Sequence, residues 1–439
     1  MSNSISTSFL AQPGGKLTGS IRVPGDKSIS HRSIMLGSLA EGVTNVTGFL
    51  EGEDSLATLN AFKAMGVKIE GPSHGNVTIH GVGISGLQAP VSSLDLGNSG
   101  TSMRLMSGLL AGQDFDCELI GDASLSGRPM KRVTSPLAAM GAKIVTTEAG
   151  TAPLKISGKA SLTGITYEMP VASAQVKSCL LLAGMRAEGK TCVTEPAPTR
   201  DHTERMLRGF GYEVTTNGNE ICLEGGGQLT ACDIDVPSDI SSAAFFLVGA
   251  SIAEGSDLTI KHVGMNPTRD GVISILRLMG ADITVSNESE VGGEPVADLR
   301  VRSAKLKGID IPEEFVPLAI DEFPAIFIAA ACAQGQTVLT GAEELRVKES
   351  DRIQVMADGL LTLGIDIKPT DDGAIIQGGS LGSGVVASHG DHRIAMSFAM
   401  ASLRSSGEIK IEDCANVNTS FPGFVDLASD SGLNISLES

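Results

Sequence analysis

The 439-residue sequence has no tryptophan and only two tyrosines, so it offers few rings on which a nucleobase could stack. Readers of single-stranded nucleic acid depend on such stacking, which makes that class of protein a poor match. The charge balance points the same way, because 33 basic residues stand against 51 acidic ones and the net charge of −18 repels phosphate polymers and anionic membranes. A small anionic ligand in a locally basic cleft remains compatible with this balance.

Several other patterns are missing. No run of 18 apolar residues occurs, and the N-terminus lacks the basic and then apolar order of a secretory signal, so we expect a cytoplasmic protein without a membrane segment. The seven cysteines form no CxxC pair, which favours buried free thiols over disulfides or a zinc site. The small-residue loop "LDLGNSGTSMRL" fits neither GxxxxGK[ST] nor GxGxxG, so it is not one of the common nucleotide-binding loops.

A short signature recurs six times at intervals of roughly 70 residues. Each copy is typical of an apolar helix that ends in a left-handed glycine and is followed by an alternating strand. The six glycines are Gly66, Gly141, Gly211, Gly280, Gly364 and Gly432. The chain is too long for one ordinary core, so the repeat predicts two domains or one large symmetric body.

Upstream of each glycine, a turn leads into a second helix that is rich in small apolar residues. These helices are apolar around most of their circumference, which suits burial under sheets, and only their first turns are polar. If they run parallel, their free N–H groups and positive dipole ends meet in one region. Such a region would attract an anion through the backbone alone, without any contribution from side chains.

The segment "PGDKSISHRS" places Lys27 and Ser28 at the first of these helix starts, with Arg32 one turn further on the same side. Two cations at a helix N-terminus oppose the dipole, an arrangement that makes sense if a bound anion lies between them. The alternative is an ordinary cap by Asp26 or Ser28 with solvated charges.

Two further segments of the first half carry the same pattern. "LDLGNSGTSMRL" is a small-residue loop around Gly100, for which capping by Asn98 is the alternative explanation. In "GDASLSGRPM", Arg128 precedes Pro129, so its backbone is extended and its guanidinium could point into a cleft.

"ASAQVKS" supplies Ser173, Gln175 and Lys177, and "PTRDHTERM" supplies Arg200 and His202. Hydroxyl, amide and guanidinium groups suit a polyhydroxylated acid and its phosphate. A single one of these residues is weak evidence for such a ligand. The set is stronger evidence, because its members occupy equivalent positions of the repeat.

The second half contributes charged residues in "AIDEFPAIF", "LRVKESDRI" and "HGDHRIAM": Asp321, Glu322, Lys348, Glu349, Arg352 and Arg393. Helix capping is the alternative for the first two, and a solvated surface is the alternative for the others. Their recurrence at helix starts of one repeat favours a common site.

In chain order, "GDKSISHR", "GNSGT", "RPM", "SAQVK", "RDHTE", "NPTR" and "LRVKESDR" resemble the 5-enolpyruvylshikimate-3-phosphate synthase family over almost the whole chain. GDKxxS, SAQxK, RxHxE and NxTR place the sequence nearer the class II branch. The resemblance implies the α/β enolpyruvyl-transferase fold, an inside-out barrel of two domains. Each domain has three βαβαββ-type repeats, with parallel inner helices covered by sheets. The implied domains are residues 21–235 and residues 1–20 plus 236–439, with the active site in the cleft between them.

The resemblance also implies the reaction: phosphoenolpyruvate and shikimate 3-phosphate combine and release phosphate, without metal or organic cofactor. By motif position, Asp321 is the implied base, and Glu349 and Lys27 are the implied proton handlers. The implied phosphoenolpyruvate contacts are Lys27, Gly100, Arg128, Gln175, Arg352 and Arg393. The implied shikimate 3-phosphate contacts are Lys27, Ser28, Arg32, Ser173, Gln175, Arg200, Asp321 and Lys348. We expect a monomer with no nucleic-acid or membrane partner.

Three positions depart from relatives of this family. Thr419 stands where many class I members have Lys, and Ala174 stands where class I has a second Ser. Gly100 stands where glyphosate-insensitive class II members have Ala, which predicts sensitivity to glyphosate.

Two other functions stay open at this point. The sister activity on the same fold transfers enolpyruvate to UDP-N-acetylglucosamine and uses a reactive cysteine on a mobile loop, whereas Cys117 lies outside any matching motif. A non-catalytic paralogue would keep the fold alone.

Overall fold

A computed structural model describes residues 7–438, which divide into two compact units. The N-terminal unit comprises residues 25–237 and 290–294. The C-terminal unit comprises the described residues 7–24, 238–289 and 295–438. Residues 1–6 of the segment expected to join the C-terminal domain lie outside the described part.

The chain begins with two strands of the C-terminal unit, β1 (Ser8–Gly15) and β2 (Thr18–Ile21). The elements of the N-terminal unit are α1 (Lys27–Leu39), β3 (Glu41–Thr47), α2 (Glu53–Ala64), β4 (Lys68–Ser73), β5 (Asn76–Val82), β6 (Leu94–Asp95), α3 (Gly100–Ala111), β7 (Cys117–Ile120), α4 (Ala123–Ser126), α5 (Lys131–Ala139), β8 (Lys143–Val145), β9 (Leu154–Ser157), β10 (Thr166–Glu168), α6 (Ala174–Gly184), β11 (Lys190–Thr194), α7 (His202–Gly209), β12 (Val214–Asn217), β13 (Glu220–Glu224) and β14 (Ile234–Asp235).

The C-terminal unit continues with α8 (Ile240–Ile252), β15 (Asp257–Gly264), α9 (Gly271–Leu278), β16 (Asp282–Val291), β17 (Glu294–Arg302), α10 (Phe323–Ala331), β18 (Gln336–Leu339), α11 (Arg352–Thr362), β19 (Asp366–Thr370), β20 (Gly373–Gln377), β21 (Gly384–Ala387), α12 (His392–Ala401), β22 (Ile409–Glu412), α13 (Val417–Ser420), α14 (Phe424–Ser431) and β23 (Leu433–Glu438). Short 3-10 turns cover Glu313–Phe315, Glu343–Val347 and Ser402–Arg404.

The sheets repeat one topology. In the N-terminal unit their strand orders are β14-β3-β5-β4, β6-β7-β9-β8 and β10-β11-β13-β12. Each begins with a parallel pair and continues antiparallel. The C-terminal unit has the orders β16-β17-β15-β2, β18-β20-β19 and β21-β22-β1-β23, and a parallel bridge between Asp310 and Val338 extends the three-stranded sheet. Three sheets in each unit confirm the sixfold repeat.

The buried helices of the repeat are α1, α3 and α6 in one unit and α8, α10 and α12 in the other. Every residue of α8 and of α10 is buried, so these helices have no solvent-facing side. A Cβ at Gly108 of α3 would overlap the carbonyl oxygen of Cys179 in α6, so glycine there permits backbone contact between the two helices. The prediction of apolar inner helices is confirmed.

The outer helices end at the six signature glycines. All six have positive φ, with values from 79° at Gly211 to 114° at Gly432. A side chain is strained in this conformation, so glycine ends each helix and redirects the chain into the next strand. The predicted left-handed helix ends are confirmed.

Side chains cap five of the six inner helices: Asp26, Ser99, Ser173, Asp239 and Asp391. The cap of α3 is Ser99, whose Oγ accepts from the Ser102 backbone N at 3.1 Å. Capping by Asn98 is therefore wrong, because Asn98 bonds Asp122 and Arg128 instead. Among residues 7–438, no helix combines the length and apolar character that a membrane crossing requires.

The expectation of free thiols throughout is wrong for Cys192 and Cys222, which form a disulfide between β11 and β13. The two residues are register partners on antiparallel strands, with Cα atoms 4.1 Å apart. They are 30 residues apart in sequence, so only the sheet register brings them together. With Glu220 they form the single cluster of potential metal ligands found in residues 7–438, and the disulfide occupies both sulfurs.

Candidate active site

Lys27 is the first residue of α1, directly after the cap at Asp26. The Asp26 carboxylate accepts from the Ile29 backbone N at 2.8 Å, as predicted for a helix start. Lys27 forms an ion pair with Asp54 of α2, and about a third of its side chain is exposed. Its ammonium group is thus anchored near a helix entrance and still reaches solvent.

Arg32 lies in the interior, 5% exposed. Its Nε donates to Thr203 Oγ1 at 2.7 Å, and its Nη2 donates to Ser178 Oγ at 3.0 Å. Its Nη1 donates to the carbonyl oxygen of Ser28 at 2.9 Å. Burial lowers the pKa of Arg32 to about 10, even though nearby carboxylates act in the opposite direction. The guanidinium therefore joins α1 to α6 and α7 and fixes the backbone at Ser28.

A second group of cations surrounds the start of α3. Arg104 Nη1 donates to Gln175 Oε1 at 2.7 Å, and Gln175 Nε2 donates to Thr101 Oγ1 at 3.1 Å. A Cβ added to Gly100 would lie 3.0 Å from Arg104 Nη1 and 3.2 Å from Arg128 Nη1. The structure thus brings together the predicted residues Gly100, Arg128 and Gln175.

Arg104 was not among the predicted site residues, although it stands one turn beyond Gly100 on the same helix. Its Nε is buried and has no hydrogen-bond partner in the described part of the chain. Burial, together with the charges of Arg132 and Arg128, lowers its pKa to about 10. Two guanidinium groups packed together in this way favour an anion between them.

The remaining predicted residues of this unit differ in environment. Ser173 caps α6, and Gln175 follows it. Lys177 is buried between Glu195 and Glu204, with Nζ 2.7 Å from Glu204 Oε1. Burial raises the pKa of Glu204 although Lys177 opposes the rise. Lys177 is therefore paired with two carboxylates inside the unit. Arg200 is half-buried, and its charge helps to lower the pKa of Arg32.

In the C-terminal unit, Arg352 is the first residue of α11 and is almost fully buried. Its guanidinium contacts three carboxylates: Nε donates to Asp391 at 2.9 Å, Nη2 to Glu349 at 2.6 Å and Nη1 to Asp321 at 3.3 Å. Burial acts to lower the pKa of Arg352, but the three carboxylates outweigh it and raise the pKa. The predicted residues Asp321, Glu349 and Arg352 therefore form one cluster.

Asp321 also faces Lys348, whose Nζ lies 3.5 Å from its Oδ1. Lys348 in turn contacts Glu344 at 2.6 Å. Arg393 donates from Nη1 to the carbonyl oxygen of Asp321 at 3.1 Å. All the site residues predicted for this half of the chain lie around Asp321.

Asp391 was not predicted, yet it is central to the cluster. One oxygen caps α12 by accepting from the Arg393 backbone N at 3.0 Å, and the other accepts from Arg352 and Ser350. Burial acts to raise the pKa of Asp391, but Arg352 outweighs it and the pKa is lowered. The sequence did carry a signal for Asp391, because an aspartate just before a predicted helix start is a typical N-cap.

Thr419 and Ala174, which depart from class I, carry no charge. Thr419 Oγ1 donates to the Asn416 carbonyl oxygen at 2.7 Å, so its hydroxyl is engaged locally. Ala174 is the first residue of α6.

His31, within the "GDKSISHR" segment, provides a pH test of the N-terminal unit. Its Nδ1 lies 2.8 Å from Thr58 Oγ1, and burial, with Lys27 adding, lowers its pKa to about 3. In the unfolded chain a histidine binds a proton near pH 6.5, whereas His31 in the folded chain does so only near pH 3. Between these pH values the unfolded state binds more protons, so the free energy of unfolding falls as the pH drops. We expect His31→Asn to reduce this dependence by about 1.4 kcal/mol per pH unit below about pH 6.

Urea unfolding of wild type and His31→Asn at a series of pH values measures the slope. His74→Asn is the matched control, since His74 is exposed in the turn between β4 and β5. Equal slopes for wild type and His31→Asn would contradict the assignment of a neutral buried histidine.

Guanidinium, ammonium and carboxylate groups cluster near helix starts in each unit. Such clusters define an enzyme that binds small multiply charged anions and moves protons on them. The model of one family, EPSP synthase (3-phosphoshikimate 1-carboxyvinyltransferase), matches residues 11–427. The chain belongs to this family.

Known members of the family match this chain over nearly its full length. A 3-phosphoshikimate 1-carboxyvinyltransferase of Methylococcus capsulatus is 71% identical, with 97% of this chain and 98% of the relative covered. One of Hydrogenovibrio crunogenus is 68% identical, with 99% of each chain covered. A solved EPSP synthase from Acinetobacter baumannii superimposes with a TM-score of 0.95 at 62% identity, covering 99% of this chain and 100% of the other. The chain thus has the enolpyruvyl-transferase fold, as the motifs predicted.

Proposed function

We propose that the chain transfers the enolpyruvyl group of phosphoenolpyruvate to the 5-hydroxyl of shikimate 3-phosphate and releases inorganic phosphate. Membership of the EPSP synthase family makes it an enzyme of the shikimate pathway. The observation that carries the proposal is the Asp321 carboxylate, held between Arg352 and Lys348 next to Arg393. A base surrounded by cations suits a hydroxyl on a phosphorylated, carboxylated substrate.

In the first step, Asp321 takes the proton of the 5-hydroxyl while that oxygen bonds to C2 of phosphoenolpyruvate. The methylene carbon takes a proton at the same stage, which gives a tetrahedral adduct with a methyl group. In the second step the bond from C2 to the phosphate oxygen breaks, and the methyl group returns a proton to the acid. The double bond is restored, and phosphate leaves with the bonding electron pair and takes up the proton that Asp321 removed, which returns Asp321 to its carboxylate form.

Glu349 and Lys27 are the proposed proton handlers at the methylene carbon. Burial acts to raise the pKa of Glu349, but Arg352 and His392 together outweigh it, and the pKa is lowered in the absence of substrate. Phosphate and carboxylate charges near a carboxyl group raise its pKa. Binding of the two anionic substrates therefore makes Glu349 a better proton donor.

The proposed anion contacts follow the motif positions. For phosphoenolpyruvate they are Lys27, Gly100, Arg128, Gln175, Arg352 and Arg393. For shikimate 3-phosphate they are Lys27, Ser28, Ser173, Gln175, Arg200, Asp321 and Lys348. Arg32 belongs to this set as well, because a guanidinium carries five N–H groups and its bonds to Thr203, Ser28 and Ser178 use three of them. Arg104 joins the phosphoenolpyruvate set because its Nη1, like Nη1 of Arg128, lies against Gly100.

The UDP-N-acetylglucosamine activity requires a reactive thiol, and the free cysteines of this chain do not offer one. Burial raises the pKa of Cys117, Cys179, Cys332 and Cys414 to about 12, and it also raises the pKa of Cys232. A thiol with a raised pKa is a poor nucleophile at neutral pH. This chemistry disfavours the sister activity.

Phosphate release from phosphoenolpyruvate distinguishes the three candidate functions. We expect release only when shikimate 3-phosphate is added. Release that depends on UDP-N-acetylglucosamine would instead support the sister enzyme, and no release with either acceptor would support a non-catalytic paralogue.

We also propose a monomer that works in the cytoplasm. Among residues 7–438, the exposed large apolar side chains come from separate segments, such as Val91, Val171 and Leu278, as is normal for a monomer surface. Light scattering of the purified protein tests the mass, and fractionation of the producing cells tests the compartment.

A further inference from the structure

Glu322 occupies the N-cap position of α10, but its side chain caps nothing there. The capping explanation from sequence is thus wrong for this residue. Its carboxylate is buried, with only 2% of the residue exposed, and it accepts a hydrogen bond from Ser241 Oγ of α8. A buried carboxylate is costly unless it is paired and hydrogen-bonded, so its partners indicate its role.

The direction of this hydrogen bond follows from the partners of Ser241. Arg269, also buried, donates from Nη2 to Ser241 Oγ at 2.7 Å. A guanidinium only donates, so the single hydroxyl proton of Ser241 is left for Glu322. Arg269 Nη2 also donates to Asp239 Oδ1 at 2.9 Å, and the same oxygen caps α8 by accepting from the Ser241 backbone N. Glu322 is therefore held at the end of an oriented chain of hydrogen bonds.

The oxygen that accepts from Ser241, Glu322 Oε1, also faces a residue of the active site. This oxygen lies 3.9 Å from Arg393 Nη1, the nitrogen that also donates to the Asp321 carbonyl oxygen at 3.1 Å. Arg393 is carried on α12, so the carboxylate connects three inner helices: α8 through Ser241, α10 through its own backbone, and α12 through Arg393. About a sixth of the Arg393 side chain is exposed, which leaves part of the guanidinium open to a ligand.

We propose that Glu322 is a positioning residue that aims the Arg393 guanidinium at phosphoenolpyruvate, with Asp239, Arg269 and Ser241 holding Glu322 in place. The proposal rests on the function proposed above. An arginine side chain loses conformational freedom when it binds an anion, and a fixed countercharge removes part of that cost before the substrate arrives. Because Glu322 is almost fully buried, the proposal gives it no substrate contact and confines its effect to the substrate that Arg393 binds.

The test is Glu322→Gln, which keeps the shape and an acceptor for Ser241 but removes the charge that faces Arg393. We expect the KM for phosphoenolpyruvate to rise about tenfold, while the KM for shikimate 3-phosphate stays within about twofold of wild type. Glu322→Asp keeps the charge at a longer distance and should recover part of the loss. Glu343→Gln, in an exposed 3-10 turn, is the matched control and should leave both KM values unchanged.

Ser241→Ala keeps the Glu322 charge but removes its hydrogen-bond donor, and we expect a smaller increase, about threefold, in the KM for phosphoenolpyruvate alone. This variant carries the test if Glu322→Gln folds poorly. A phosphoenolpyruvate KM within twofold of wild type in the folded variants, or equal increases for both substrates, would overturn the positioning role. Failure of the proposed function would look different, because wild type itself would release no phosphate with these two substrates.

Discussion

Asp321→Asn is expected to lower kcat by about a thousandfold. The amide has nearly the same shape as the carboxylate, but it cannot take the proton from the 5-hydroxyl. The Asp321 carboxylate lies 3.3 Å from Arg352 Nη1 and 3.5 Å from Lys348 Nζ, so an asparagine also loses attraction to both cations. Steady-state turnover with saturating phosphoenolpyruvate and shikimate 3-phosphate measures the effect.

Asp358→Asn is the control for this change. Asp358 lies on the exposed side of α11 and contacts Gln354, away from the Asp321 cluster. Its substitution should leave kcat unchanged. Near-normal turnover of Asp321→Asn would show that another group accepts the hydroxyl proton.

Gly100→Ala is expected to weaken inhibition by glyphosate about 10- to 100-fold. The new methyl group would lie 3.0 Å from Arg104 Nη1 and 3.2 Å from Arg128 Nη1, and both guanidinium groups would have to shift by a few tenths of an ångström. An inhibitor slightly longer than phosphoenolpyruvate is affected more than the substrate by this crowding. Inhibition constants of wild type and variant, together with the KM for phosphoenolpyruvate, measure the effect.

Gly127→Ala is a matched control because it adds the same methyl group next to Arg128 in the chain. The nearest atom to a Cβ there is the Ser124 carbonyl oxygen at 3.6 Å, an ordinary contact. Inhibition should remain as in wild type. If Gly100→Ala is inhibited as strongly as wild type, steric crowding at Gly100 does not govern the response to the inhibitor.

Local chain chemistry made the repeat predictable. A glycine between an apolar helix and an alternating strand is typical of a residue that ends the helix in the left-handed conformation. All six signature glycines have this conformation. Fully apolar helices likewise have no stable place except under covering sheets, as α8 and α10 demonstrate. Neither inference needs a long-range contact.

Long-range contacts decided what each charged side chain does. Lys27, Arg32 and Lys177 all follow polar helix starts in the sequence, but Lys27 reaches solvent, Arg32 supports Ser28, and Lys177 is engaged by two buried glutamates. Spacing along the chain cannot distinguish these outcomes, because they depend on distant acceptors: Asp54 for Lys27, Thr203 for Arg32 and Glu204 for Lys177.

The sequence by itself determined the sixfold repeat, the apolar inner helices and the polar character of their first turns, since periodicity and backbone preference are local properties. Only the tertiary structure decided that Cys192 and Cys222 pair across a sheet, that Asp391 joins Arg352 and that Glu322 faces Arg393 instead of capping its helix. These contacts depend on sheet register and on the packing of helices from different repeats, which are set by the burial of the whole core.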